Sequence, residues 1–400
     1  MGSPQEAYPV LHVTGTNGKG SVTRMAASLL AAVGVRAGAY TSPHLEALNE
    51  RLSIAGEPIS DDDLAAQLAS LAELETFLGI KATWFELMTA AAFRWFADEA
   101  VEAAVVEVGL GGRYDATNVA RGAVAVVTNV DLDHTELLGG TRRLIAGEKA
   151  GIIKAGAVAV IGERTDEIAA VFEEEAAAVG AAAVWRRGRD FGADNVRLAV
   201  GGRVADLRTP AATYEEVFVP ARGSYQCENA AVALAAVQAF VGDVLPAEVV
   251  REGFSSLVLP GRMEVVDRQP LVVLDGAHNP AGAAAAGEAL AEDFAGARRI
   301  VLVIGCLRNR SAKEVLEGLA DARLTHVVCC RPPSPRAQDP ALLAAAAEEM
   351  GFAASVVDDV LEAIEAGRRL AAEDDLVLVS GSLYVVGAAR SLYSARRRRS

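Results

Sequence analysis

Several short stretches of this chain gather residue types able to handle phosphate and a hard cation. The first is Val10-Leu11-His12-Val13-Thr14-Gly15-Thr16-Asn17-Gly18-Lys19-Gly20-Ser21, an apolar, β-branched run ending in a glycine-dense turn with one lysine. Glycines let the backbone bend so that successive N–H groups converge, a helix opening at the turn adds its positive end, and the lysine brings a mobile charge. Such a cradle takes nucleotide phosphates. The common spacing Gly-x4-Gly-Lys-[Ser/Thr] is not met, because Gly20 separates Lys19 from Ser21. A glycine-rich β–α turn with a surface lysine is the plainer alternative.

Three further residues suit Mg²⁺: Glu107 ends an apolar run, Ser42 lies in Thr41-Ser42-Pro43-His44, and His134 follows Asp131 and Asp133. Taken singly, His134 reads equally well as a loop histidine bonded to Asp131, and Glu107 as a strand-end carboxylate facing water. Val106 and Val108 point away from Glu107, so only Glu107 on that run is placed for a cation. Lys149, near the end of a helical stretch, reads alone as a solvated lysine complementing the helix dipole. In Asp275-Gly276-Ala277-His278-Asn279-Pro280 a strand end opens a helix, and Asp275 there either receives a ribose hydroxyl or base, or caps the helix.

The elements that must hold these residues alternate between strand and helix. A helical pattern over 22–33 follows the glycine turn, Arg36 to Tyr40 reads as a strand, and Asp61-Asp62-Asp63 opens a helix to about Phe77. The aromatics of a helix over 84–96 read as core. Ala103 to Val108 and Ala123 to Thr128 are buried-strand runs, each followed by a polar or glycine-rich loop. This predicts a doubly wound α/β sheet whose ligand sits beyond the carboxyl ends of the strands. From Val184 to Val219 short strands separated by glycine turns predict a small antiparallel flank, and a helix over 228–240 returns to the core. Leu259-Pro260-Gly261-Arg262 is the best boundary, dividing 1–262 from a smaller α/β domain over 263–400. Strands there are expected at Leu271 to Asp275, Ile300 to Ile304, Thr325 to Cys329 and Leu376 to Val379.

With 400 residues, 52% hydrophobic and 23% charged, the chain can bury a sizeable core. A net charge of −15 makes nucleic acid a poor partner, and the basic run Arg396 to Arg399 reads as a solvated tail. The four cysteines, Cys227, Cys306, Cys329 and Cys330, have no metal spacing and suit a reducing cytoplasm. No apolar run approaches the roughly 18 residues of a membrane span, and Met1 to Pro9 lacks the charged and apolar regions of a signal peptide. A cytoplasmic protein is expected.

Together the motifs resemble one family, the folylpolyglutamate and dihydrofolate synthases of the Mur ligase superfamily. The resemblance runs from Thr14-Gly15-Thr16-Asn17-Gly18-Lys19-Gly20-Ser21 through Thr41-Ser42-Pro43-His44-Leu45, Asn49-Glu50-Arg51, Glu107-Val108-Gly109-Leu110-Gly111-Gly112-Arg113, Asp115-Ala116-Thr117-Asn118 and Asp133-His134-Thr135. It continues in Glu148-Lys149-Ala150-Gly151-Ile152, Pro260-Gly261-Arg262, the Asp275 to Pro280 run and Ser380-Gly381-Ser382-Leu383-Tyr384. It implies a P-loop ATPase domain with an antiparallel flank, a Rossmann-like C-terminal glutamate-ligase domain, and an ATP-dependent amide ligase. ATP phosphorylates a dihydropteroate or folate carboxylate, and the amine of L-glutamate captures the acyl phosphate.

By the same resemblance Thr16, Asn17, Gly18, Lys19, Gly20 and Ser21 hold phosphates, Ser42, Glu107 and His134 hold Mg²⁺, and Asn229, Arg262, Asp275 and His278 contact ATP. Lys19, Lys149 and His134 form the catalytic set, with Lys149 carbamylated and so converted from cation to anion. Thr83-Trp84-Phe85-Glu86 and Tyr114-Asp115-Ala116 match pterin-binding positions. A monomer acting on small molecules is expected, with no nucleic-acid or membrane partner. Three features depart from the pattern or qualify it. Only 13 residues precede Thr14, where the family usually has a helical segment. Asn309-Arg310-Ser311 stands where Asp-Lys-Asp is usual, which bears on how the smaller domain is oriented. The pterin positions favour dihydrofolate synthesis without excluding glutamate-chain extension. Two alternatives from the sequence are a cell-wall ligase of the same superfamily and a non-catalytic ATP-binding switch.

Overall fold

The computed structural model describes residues 1–397 apart from Asn309 and Ala322. Its first sheet has eight strands in the order Glu57–Pro58, Leu52–Ile54, Ala37–Tyr40, Ala103–Glu107, Val10–Thr14, Gly122–Val127, Val158–Ile161 and Ala183–Arg186. The last six run parallel, and the first two form an antiparallel edge. The central strands are apolar along their length because helices cover both faces. Helices Lys19–Ala32 and Tyr225–Val241 close one face through Val22, Met25, Leu29, Leu234 and Val237. On the other face, Phe93 and Phe96 of helix Trp84–Asp98 cover one end, and helices Arg142–Ala150 and Asp166–Val179 cover the rest.

Register decides where the loops emerge. Val13 pairs with Glu107 on one side and Val126 on the other, while Tyr40 pairs with Val106. Four strands therefore end at the same level, and Gly15, Ser42, Val108 and Thr128 leave the sheet side by side. The chain departs from Val10–Thr14 to one side for Ala37–Tyr40 and to the other for Gly122–Val127. This makes the central strand the switch point at which α/β sheets bind ligands.

Several sequence boundaries shift. Helix Lys19–Ala32 begins before residue 22, because Gly18 at φ 82° starts it and puts Lys19, Gly20 and Ser21 in its first turn. Ala183–Arg186 belongs to the parallel sheet, paired with Val158–Ile161; the antiparallel flank is Gly192–Ala199, Gly202–Arg208 and Thr213–Val219. Trp84 is not core: it is 51% exposed at the start of its helix.

A second parallel sheet has six strands ordered Glu264–Arg268, Leu271–Leu274, Leu376–Ser380, Ile300–Ile304, Leu324–Cys329 and Ala353–Val356, with only the first antiparallel. The two edge strands escaped the sequence reading because they are short and only partly buried. Arg396 lies in helix Leu383–Arg397 and pairs with Glu365 at 2.8 Å, so it is not a free tail; Arg398 and Arg399 lie outside the described residues. All four cysteines are buried free thiols. Among the described residues no helix is long and apolar enough to cross a membrane.

The two sheets meet along the loop that carries Ser42. Leu45 and Glu46 sit on helix Leu383–Arg397, where Arg390 bonds Glu46 and, at 3.1 Å, Glu264. A Cβ on Gly387 would lie 2.0 Å from the Leu45 carbonyl oxygen. Gly387→Val should therefore lower stability by about 1–3 kcal/mol in a urea titration, as overpacking of a close contact does; an unchanged midpoint would show that Leu45 is not seated there.

Candidate active site

The glycine turn is held from outside. Thr16 N–H donates to the Asn129 carbonyl at 3.0 Å, Asn17 N–H to Asn129 Oδ1 at 2.9 Å, and the Thr128 hydroxyl to the Asn17 carbonyl at 2.6 Å. A Cβ on Gly15 would fall 1.8 Å from Thr128 Oγ1, and one on Gly18 would fall 2.7 Å from Asn229 Oδ1. Helix Tyr225–Val241 is buried almost all round, and that burial delivers Asn229 to the turn. No side chain caps helix Lys19–Ala32, which leaves the dipole end open towards an anion.

Two ammonium groups end on one carbonyl. Lys19 Nζ donates to Gly15 O at 3.1 Å and Thr16 O at 3.2 Å, and Lys149 Nζ donates to Gly15 O at 2.8 Å. Lys149 is 3% exposed, which overturns its reading as a solvated lysine. Burial, with the Lys19 charge second, pushes its ammonium down to about 7. Its helix is brought in by the Glu107-to-Asn118 loop: Arg113 N–H donates to the Glu148 carbonyl at 2.8 Å, and a Cβ on Gly112 would lie 2.9 Å from the Lys149 carbonyl.

Glu107 is buried rather than facing water, and its Oε2 accepts the Ser42 N–H at 3.0 Å. Burial raises its pKa, opposed by Lys19. A Cβ on Gly20 would sit 3.4 Å from the same oxygen, so the carboxylate lies against the first turn of the helix. His134, at φ 50°, is not bonded to Asp131, whose carboxylate takes the Leu132 N–H. Instead its Nε2 accepts from Arg310 at 3.3 Å, and burial holds its pKa below the usual histidine value. A metal at Ser42 and Glu107 has to compete with Arg310 for that nitrogen.

No cluster of three His, Cys, Asp or Glu side chains able to hold a metal occurs among the described residues. One carboxylate, a hydroxyl and an imidazole beside an anion cradle nevertheless fit Mg²⁺, which keeps few protein ligands and shares the rest with phosphate oxygens and water.

The second sheet supplies the roof. Asn279 and Asn17 exchange amide hydrogen bonds at 3.0 and 3.3 Å, Asn279 Nδ2 also reaches Asp133 Oδ2 at 2.9 Å, and Arg310 pairs with Asp133. Asn279 and Arg310 were missed as site residues. Asn279 is the residue that caps helix Pro280–Asp293, accepting the Gly282 N–H at 2.8 Å, a role the sequence suggests for Asp275. Arg310 stands inside the departure from the family pattern, with Asn309 outside the described residues. Asp275 does not cap the helix: its oxygens take the Met263 and Ala277 N–H groups at 3.0 and 2.9 Å, beside Arg262. The His278 ring bonds the Gly276 carbonyl at 2.7 Å, and burial pushes it down to about 4.

Thr83 and Glu86 form a capping box at the start of helix Trp84–Asp98. The Trp84 ring has the Arg51 guanidinium 4.5 Å from its centroid. Phe85 packs on Gly109, where a Cβ would come within 2.4 Å of its ring. Asp115 caps the short helix Ala116–Val119 and accepts the Leu110 N–H at 2.9 Å, while Tyr114 is 85% exposed. The two segments expected to receive a pterin thus meet through Gly109 and Leu110.

Residues 13–237 match the Mur ligase middle domain and 261–383 the Mur ligase glutamate ligase domain. The chain is 38% identical to the dihydrofolate synthase/folylpolyglutamate synthase of Mycobacterium tuberculosis, over 98% of this chain and 88% of that protein. The chain belongs to the folylpolyglutamate and dihydrofolate synthase family. It is accordingly an ATP-dependent glutamate ligase. Within this family the Escherichia coli dihydrofolate synthase/folylpolyglutamate synthase is 35% identical, covering 99% of this chain and 89% of its own length. A structure of M. tuberculosis folylpolyglutamate synthase complexed with ADP superposes with a TM-score of 0.93 at 38% identity, covering 98% of this chain and 92% of that one. The E. coli protein in complex with DHPP and ADP gives 0.87 at 32%, covering 99% and 92%.

Lys149 makes stability pH-dependent in a defined direction. Its proton leaves at about 7 in the fold and at 10.5 in the free side chain, so between these values the unfolded chain holds more protons and stability rises with pH. Lys149→Met should flatten that rise, seen as the difference between wild-type and variant urea midpoints from pH 7 to 10; parallel curves would contradict the burial of a charged lysine.

Proposed function

We propose that this ligase joins L-glutamate to the carboxylate of a pteroate or folate through an acyl phosphate, with dihydropteroate as one acid substrate. The observation that carries this reading is the pair of lysines converging on the Gly15 carbonyl beside a buried Glu107. In it, Thr16, Asn17, Gly18, Gly20 and Ser21 cradle the ATP phosphates, and Lys19 swings from the loop carbonyls onto the migrating phosphoryl group. Asn229, Arg262, Asp275 and His278 form the nucleotide side. Ser42, Glu107 and His134 hold Mg²⁺, which when bound neutralises charge on the phosphoryl oxygens.

A carboxylate is a poor acyl donor until phosphorylation gives it a leaving group. Its oxygen attacks the terminal phosphorus and ADP departs; the uncharged amine of glutamate then attacks the acyl carbon and phosphate departs. Thr83, Trp84, Phe85, Glu86, Tyr114, Asp115 and Ala116 receive the pteridine end. A division at 262 gives 1–262 the nucleotide and 263–400 the closing surface, in a monomeric cytoplasmic enzyme. Lys149, depressed to about 7, keeps enough free amine at neutral pH to add CO2 with loss of one proton. The carbamate reverses its charge and relieves the crowding with Lys19.

ADP release should require both dihydropteroate and L-glutamate; release equally fast without either would overturn the reading. Lys149→Ala should lose on the order of a hundredfold or more in turnover, the scale set by removal of one transition-state group, and bicarbonate should not restore it. Wild-type protein in ¹³C-bicarbonate should show a carbamate resonance that strengthens from pH 6 to pH 8 around the pKa of about 7 and is missing in Lys149→Ala. Identical spectra for the two proteins would exclude the modification.

A further inference from the structure

The strand Val10–Thr14 presents two buried polar side chains on one face, His12 and Thr14, among apolar neighbours. Both reach the loop that runs from Glu107 to Asn118. The Thr14 hydroxyl donates to the Gly111 carbonyl at 2.6 Å, and His12 Nε2 lies 2.8 Å from Thr117 Oγ1. The loop is thereby pinned on either side of Tyr114 and Asp115.

The direction of the second bond follows from counting protons. The Thr117 hydroxyl has one, and gives it to Asp115 Oδ1. Its oxygen must then accept from the imidazole, so the ring carries its hydrogen on Nε2. Burial, with a smaller push from Lys154, lowers His12 to about 3, so the ring is neutral at any pH near 7. The result is a one-way chain, His12 N–H to Thr117 O–H to Asp115 carboxylate. Asp115 Oδ1 also takes the Thr117 N–H at 3.0 Å, and Oδ2 takes the Leu110 N–H at 2.9 Å. Oδ1 is saturated, while Oδ2 keeps one lone pair.

We propose that His12 is a positioning residue for the acid substrate, acting through Thr117 to aim the remaining lone pair of Asp115 Oδ2 at the N–H donors of an aminopyrimidinone ring. The proposal rests on the placement of Asp115 at the pteridine end. Sheet stability alone does not account for this histidine. Its Nδ1 is buried and finds no partner among the described residues, a cost that an apolar side chain in the same strand avoids. Because each donor polarises the next, the chain also strengthens the hold on the carboxylate.

The test is a split between Michaelis constants. Thr117→Val removes the hydroxyl while keeping the shape, and should raise KM for dihydropteroate about tenfold with KM for ATP unchanged, the scale of one lost bond to a charged group. Thr117→Ser should restore it. His12→Gln, which keeps an N–H near the place of Nε2, should stay close to wild type, and His12→Leu should behave as Thr117→Val. If Thr117→Val does not fold, Thr117→Ala is judged by the same criterion. An unchanged dihydropteroate KM, or a rise in both constants together with a lower melting temperature, would overturn the role of His12. Failure of the substrate reading shows separately, in wild-type protein that releases no ADP with dihydropteroate.

Discussion

The Gly15 carbonyl oxygen receives two lysine ammonium groups, and the rest of the site is arranged around the consequence. Two like charges on one acceptor repel, the more so because Lys149 is nearly out of reach of water. The arrangement is resolved by an anion, by loss of a proton, or by chemical conversion of one amine. Glu107 answers part of the charge from the neighbouring strand, held in place by the Ser42 N–H, and the open end of helix Lys19–Ala32 faces the same space.

Sheet register makes the convergence possible. Because Val13, Glu107 and Val126 lie in one row, the loops following three strands need no long excursions to meet. The glycines are there for approach as much as for flexibility: Gly15 and Gly18 lie where a side chain would run into Thr128 or Asn229, and Gly20 lies in contact range of Glu107. A small net of polar contacts then ties this edge to the second sheet, through Asn17, Asp133, Asn279 and Arg310.

What was legible in the sequence was local. The glycine turn, the strand ends carrying Glu107 and Ser42, and the alternation that predicts a doubly wound sheet all depend on neighbours within a few residues. Lys149 was not legible without the family resemblance, since its surroundings read as an ordinary helix end. Its helix is seated by the distant Gly112 and Arg113, and its ammonium ends on the still more distant Gly15 carbonyl. The contact between His134 and Arg310 was opaque for the same reason: it spans a separation of 176 positions. Trp84 misled in the opposite sense, because helical periodicity cannot say which turn of an apolar stripe runs out past the end of the core.

Asn279 serves two masters. It closes the first turn of helix Pro280–Asp293 and also exchanges amide bonds with Asn17, 262 positions earlier in the chain. Geometry that suits one duty constrains the other. A chimaera that grafts the C-terminal half of a relative onto this N-terminal half keeps this tie only if the grafted helix start offers Asn17 a carboxamide in the same place.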